Sequence, residues 1–189
     1  MAMALLAPYR GPGFQEGRYS AHLLPLACIV LVVALGPTWT RRRGAVAAVW
    51  LALALASLLP AATRYAWGVQ NINAMQVHLG RWVDAHLPRT ATLALNDVGA
   101  IAYFSRRPVL DLMGLVTPEI RPYRRQGEAG VLWFIAERCP DVVIVFPTWF
   151  PELTARRDLL TPIYRVRLPR NEVSGGPEMV VYRLTRCAV

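Results

Sequence analysis

Two apolar runs near the amino terminus decide what this chain can fold into. Residues 22–39, HLLPLACIVLVVALGPTW, and residues 44–62, GAVAAVWLALALASLLPAA, contain no Asp, Glu, Lys or Arg. As helices of 1.5 Å rise per residue they reach about 27 to 29 Å, close to the hydrocarbon thickness of a bilayer. Pro25 falls in the first turn of the first run and Pro60 near the end of the second, positions where the missing N–H does little harm. A cleaved signal peptide does not fit, because no basic start precedes an apolar centre and no small-residue cleavage pattern follows the first run. Only TRRR, residues 40–43, separates the two runs. The pair therefore reads as a transmembrane hairpin with a turn at one face. Three arginines in that turn place it in the cytoplasm under the positive-inside rule, which leaves residues 1–21 and 63–189 outside.

The chain is 54% hydrophobic with a formal net charge of +9, and every basic residue other than histidine is Arg. Absence of Lys points to coding bias in a GC-rich genome, so a single Arg carries less functional weight than usual. The arginine surplus of the outer segment favours an anionic headgroup surface and makes the bilayer a partner. No basic, aromatic-interleaved stripe points to nucleic acid. Cys28 lies inside a span, while Cys139 and Cys187 lie outside, where a bridge and two buried thiols are both open readings.

After the second run, VQNINAMQVHLGRWVDAHLP places Ile72, Met75, Leu79, Trp82 and Val83 on one helical face, with Asn71, Gln76, Arg81 and Asp84 off it. TATLALND reads as a strand, VGAIAYFS as a short helix and RPVLDLMG as a second strand. GVLWFIAERCP gives another helix, and DVVIVFP a strand apolar on both faces. IYRVRLP and EMVVYRLT, joined by RNEVSGG, form a closing antiparallel hairpin. The expected fold is α/β: the hairpin of spans, then a small extracytoplasmic α/β domain with a mainly parallel sheet.

The densest polar cluster in the outer segment is NDVGAIAYFSRRPVLDLMG, residues 96–114. In a parallel sheet, ligands seat beyond the carboxyl ends of the strands, which makes Asn96, Asp97 and Asp111 a candidate substrate or acceptor edge. Asn96 or Asp97 could equally cap the helix near Val98, and Asp111 could hold a loop N–H or pair with Arg106 or Arg107. No His, Cys or Ser accompanies these carboxylates at a useful spacing, so no catalytic residue is assigned. Gly99 lacks the glycines of a dinucleotide fingerprint. His78 and His86 have no third ligand nearby, and no metal site is assigned. SGGPEM is turn chemistry. Ahead of the first span, QEGRYSAHLLPL offers Arg18, Tyr19 and His22, either as interface anchors or as contacts to a lipid-linked phosphate.

GRYSAHLLPL, the Arg-rich turn, the second span and outer text such as NDVGAIAYFSRRPVLDLMGLVTPE and GGPEMVVYR together resemble the C-terminal part of bacterial GT-C membrane glycosyltransferases. That group contains protein mannosyltransferases and aminoarabinose transferases. The resemblance implies a multi-pass protein of the bacterial plasma membrane that transfers a sugar from a polyprenyl-phosphate donor at the outer face. Its catalytic acids sit in the first outer loop, often with a divalent metal. No such loop is present in these residues, and Glu16 is the only acidic residue before the outer segment. The chain is thus expected to need further transmembrane helices and to be inactive alone, with no cofactor of its own. A stand-alone, two-span membrane-anchored binding domain is the other reading.

Alkaline phosphatase joined after Val189 is expected to be active in bacterial cells, and a fusion placed after Arg43 inactive. The reverse pattern would put the outer segment in the cytoplasm.

Overall fold

The computed structural model describes residues 23–36, 40–185 and 187. They divide into two compact units at Thr63.

In the first unit, helix α1 covers Leu24–Leu35 and ends at Gly36, whose φ of +62° suits a residue without a Cβ. Twelve helical residues reach about 18 Å, short of the ~30 Å hydrocarbon core. The first expected span is therefore described only in part, since residues 22 and 37–39 lie outside the described residues. Helix α2, Arg41–Ile72, begins earlier than expected. Arg41, Arg42 and Arg43 form its first turn instead of a loop, and Thr40 Oγ1 accepts the Arg43 N–H at 3.3 Å. The helix runs on through a π-type turn at Asn73–Val77 into α3, His78–His86. Among the described residues this is the one helix long and apolar enough to cross a membrane, and none of its apolar stretch is buried within the chain.

The second unit is α/β. Its strands are β1 (Leu93–Leu95), β2 (Val109–Asp111), β3 (Val142–Val145), β4 (Leu160–Arg167) and β5 (Glu178–Leu184). Its remaining helices are α4 (Gly99–Ser105), α5 (Arg121–Arg124), α6 (Gly127–Arg138) and α7 (Pro151–Ala155). The sheet order is β2-β1-β3-β5-β4. β1 pairs in parallel with β2 and β3, whereas β5 is antiparallel to both β3 and β4. The sheet is therefore mixed, not mainly parallel, because β5 inserts beside β3 and pushes β4 to the edge.

Alternation along the strands explains the layers. Leu93, Leu95, Val142, Ile144, Met179 and Val181 point to the face covered by Met75, Leu79 and Val83 of the long helix and Ile101 of α4. Ala94, Val143, Val145, Val180 and Tyr182 point to the other face, against Val131, Phe134 and Ile135 of α6. Gly80 lets α3 and α4 touch, since a Cβ there would lie 2.8 Å from the Phe104 Cβ. With α4 on one face and α6 on the other, the chain reverses its winding between β1 and β3.

Two further ties hold the amino edge of the parallel strands. Arg107, whose side chain is fully buried, donates to the carbonyls of Pro88 (2.7 Å), Leu87 (2.8 Å), Ser105 (2.6 Å) and Asp84 (3.3 Å) and to Asp84 Oδ1 (3.1 Å). One guanidinium thus ties the last turn of α3 and the two residues after it, through Asp84, Leu87 and Pro88, to the end of α4 at Ser105. Cys139, in left-handed backbone after α6, is joined by a disulfide to Cys187, their Cα atoms 5.4 Å apart. Of the two readings open in the sequence, the structure takes the bridge.

Arg107→Met should lower stability by about 3 kcal/mol, because four carbonyls lose the guanidinium, Pro88 keeping only the Ala91 N–H, and Asp84 keeps only Arg89. Thermal unfolding of the membrane-reconstituted chain, followed by near-ultraviolet circular dichroism, measures this; an unchanged midpoint would contradict it.

Candidate functional site at the carboxyl edge of the sheet

The winding reverses between β1 and β3, so the crevice beyond Leu95 and Val145 is where a sheet of this topology seats ligands. Four segments meet there: residues 96–98, residues 146–150, the loop 170–177 between β4 and β5, and the helical residues 64–76.

Asn96 does not cap α4, which begins without any side-chain cap. It is buried, and its Oδ1 accepts the Phe146 N–H at 3.3 Å, tying the ends of β1 and β3 together. Asp97, half-buried, accepts from Gln76 Nε2 at 2.9 Å, and the same nitrogen reaches Ser174 Oγ at 3.3 Å. Gln76 and Asn71, placed off the apolar face by helical spacing, are both buried. The 170–177 loop covers them, and Gln76 itself lies in the π-type turn. Asn71 donates to the Arg170 carbonyl at 2.8 Å and accepts the Glu172 N–H at 2.6 Å. Arg170 lies 4.9 Å from the Trp67 ring centre, and Arg64 contacts Glu172 at 3.2 Å. Within this cluster Gln76 Oε1 and Asn96 Nδ2 have no partner among the described residues, which leaves one buried acceptor and one buried donor.

Asp111 is bonded within its own loop, and among the described residues it has no hydrogen bond to Asp97 or Asn96. Its carboxylate accepts the N–H groups of Met113, Leu115 and Val116 at 2.5 to 2.9 Å, and its own N–H donates to Thr117 Oγ1. It pairs with neither Arg106 nor Arg107. Arg18, Tyr19 and His22 lie outside the described residues.

His78 and His86 sit on the exposed side of α3. His78 Nε2 is 2.7 Å from the Tyr164 hydroxyl, and His86 stacks on Trp82, which stacks in turn on Tyr164. Among the described residues no three His, Cys, Asp or Glu side chains gather as a metal site. The Tyr123 hydroxyl is held above its usual pKa, first by its hydrogen bond to Glu137 at 2.5 Å. Burial raises that of Tyr182, and the Arg156 hydrogen bond lowers that of Asp158.

Spacing alone did not single out Trp149, Arg124 and Glu128. With Met113, Gly127 and Phe150 they line a pocket of about 270 Å³ at this same edge. A larger, mostly apolar depression of about 620 Å³ lies on α6 around Trp133 and Leu159, toward the opposite edge. The SGG motif was the available signal. A Cβ on Gly175 would come within 2.8 Å of both Phe146 and Trp149, so glycine there means close approach and not only a turn.

Fold and edge together define a small doubly wound α/β domain continuous with an apolar helix of membrane-spanning length. Residues 70–182 match a family described as a domain of unknown function (DUF8728), and the chain belongs to that family. The match starts near the end of α2 and stops within β5. No curated protein and no solved structure matches the chain.

Asp111→Asn should cost about 1–3 kcal/mol, because an amide nitrogen would face backbone N–H donors. Asp97→Asn, which keeps an acceptor for Gln76, should cost less than about 1 kcal/mol. Equal losses in thermal unfolding would refute this division of roles.

Proposed function

We propose that this chain is the membrane-anchored, extracytoplasmic C-terminal part of a GT-C-type glycosyltransferase that uses a polyprenyl-phosphate-linked sugar. In this reading it positions substrate and does not break the glycosyl bond. The catalytic acids, and any divalent metal, belong to the first outer loop of the complete enzyme, so the chain alone is inactive. Arg18, Tyr19 and His22 hold the lipid phosphate. Asn96 and Asp97 shape the acceptor-facing edge, and Asp111 only supports the loop behind it.

The observation that carries this reading is the packing of the 170–177 loop against residues 64–71. The carboxyl edge of the sheet lies beside the part of α2 that follows directly on the apolar run ending at Ala62. In this reading the lipid tail of the substrate stays in the bilayer while its head group reaches that edge. The Cys139–Cys187 bridge fits an oxidising compartment outside the cytoplasm. Ala47, Ala48, Ala52, Ala54 and Ala56 give α2 small residues along which further transmembrane helices can approach.

One observation favours the alternative of a stand-alone anchored binding domain. The α/β unit buries a full core on both sheet faces without any other chain.

A photoreactive polyprenyl phosphate added to the chain in nanodiscs separates the two. Labelling of residues 15–22, reduced at least about tenfold in Arg18→Gln, is expected, with no sugar transfer by the chain alone. Absent labelling, or labelling indifferent to Arg18→Gln, supports the stand-alone domain. Sugar transfer by the chain alone would overturn the non-catalytic role.

A further inference from the structure

The pocket beside Trp149 carries chemistry that positioning of a lipid does not use. Topology brings its walls together: Met113 follows β2, Trp149 and Phe150 follow β3, and Arg124, Gly127 and Glu128 come from α5 and the start of α6. All of them lie beyond the carboxyl ends of the parallel strands.

Trp149 is 45% exposed and yet fixed in place. Its Nε1–H donates to the Gly175 carbonyl at 2.7 Å, and its ring rests 5.7 Å from that of Phe146. The close approach of Gly175 leaves the indole no room to turn toward the loop. A preorganised aromatic face of this kind can be covered by a ligand at little cost in side-chain entropy.

Two charged groups complete the wall. Arg124, which lines the pocket, is bonded among the described residues through Nη1 only, to the Leu112 carbonyl at 2.8 Å and Met113 Sδ, so its Nε and Nη2 donors are uncommitted. Glu128 uses Oε2 on the Leu153 N–H at 2.9 Å, which leaves its other oxygen. A phosphate here would meet Glu128, and an ammonium would meet Arg124. A wholly apolar group would strip water from both charges without replacing it. A neutral ring bearing adjacent hydroxyls avoids all three penalties. Its C–H face lies on the indole, while its hydroxyls accept from Arg124 and donate to Glu128.

We propose that this pocket binds one neutral sugar ring, stacked on Trp149 and held between Arg124 and Glu128. The inference rests on the glycosyltransferase reading for why a sugar reaches this edge, but the chemistry of the pocket stands without it.

Saturation-transfer difference NMR on the full chain in nanodiscs tests the proposal, with glucose, mannose and arabinose as probes and glucose 6-phosphate as the anionic comparison. Transfer to at least one neutral sugar is expected, weaker for the phosphate and reduced about tenfold or more in Trp149→Ala and in Glu128→Gln. Glu128→Gln keeps an acceptor for Leu153, so it reports on the site even if Trp149→Ala disturbs the fold. The proposal falls if no neutral sugar receives transfer, if both variants behave as wild type, or if the phosphate binds better than its parent. Sugar binding without polyprenyl-phosphate labelling would defeat the glycosyltransferase reading alone, and labelling without sugar binding would defeat only this proposal.

Discussion

The short strands β1 and β3 are apolar on both faces, and that fact organises everything after Thr63. Leu93, Ala94 and Leu95, like Val142 to Val145, have no side that tolerates water. Both faces must therefore be roofed by helices. One roof is α6. The other is α4 together with α3, and α3 is the continuation of the apolar helix α2. The same burial that stabilises the sheet thus recruits the end of the membrane-length helix into the core of the domain. Met75, Leu79 and Val83 are the residues that do this, and Gly80 allows α4 to close against them.

Much of this pattern can be read from the sequence, because it depends on local periodicity. DVVIVFP is continuous apolar text, and it becomes the doubly buried β3. The helix facing it shows apolar residues at helical spacing, and Met75, Leu79 and Val83 occupy the core as that spacing requires. The position of the hairpin was less legible, since alternation does not state which of its strands joins the sheet. A finer signal was present. Met179, Val180, Val181 and Tyr182 form an unbroken apolar run and take the interior place. TPIYRVR alternates, carries Pro162, and takes the edge, where a missing N–H is tolerated.

The polar residues were harder to place, because their roles depend on contacts between distant segments. Arg107 looks in the sequence like one of two adjacent surface arginines. The left-handed turn at Arg106 sends it inward, where it gathers carbonyls from two chain segments. Asp111, a site candidate in the sequence, is the hub of its own loop. Gln76 and Asn71 looked solvated, but a loop about a hundred residues away in the chain lies over them. Trp149, Arg124 and Glu128 come from different elements, and only the winding of the sheet makes them neighbours.

The arginines at the start of α2 follow a different logic. A helix amino terminus carries the positive end of the backbone dipole, so three cations in its first turn are opposed by the helix itself. No acidic residue stands in that turn to offset them. Helix stability therefore does not account for Arg41 and Arg42, which an anionic surface beside that turn would offset at about 1 kcal/mol each.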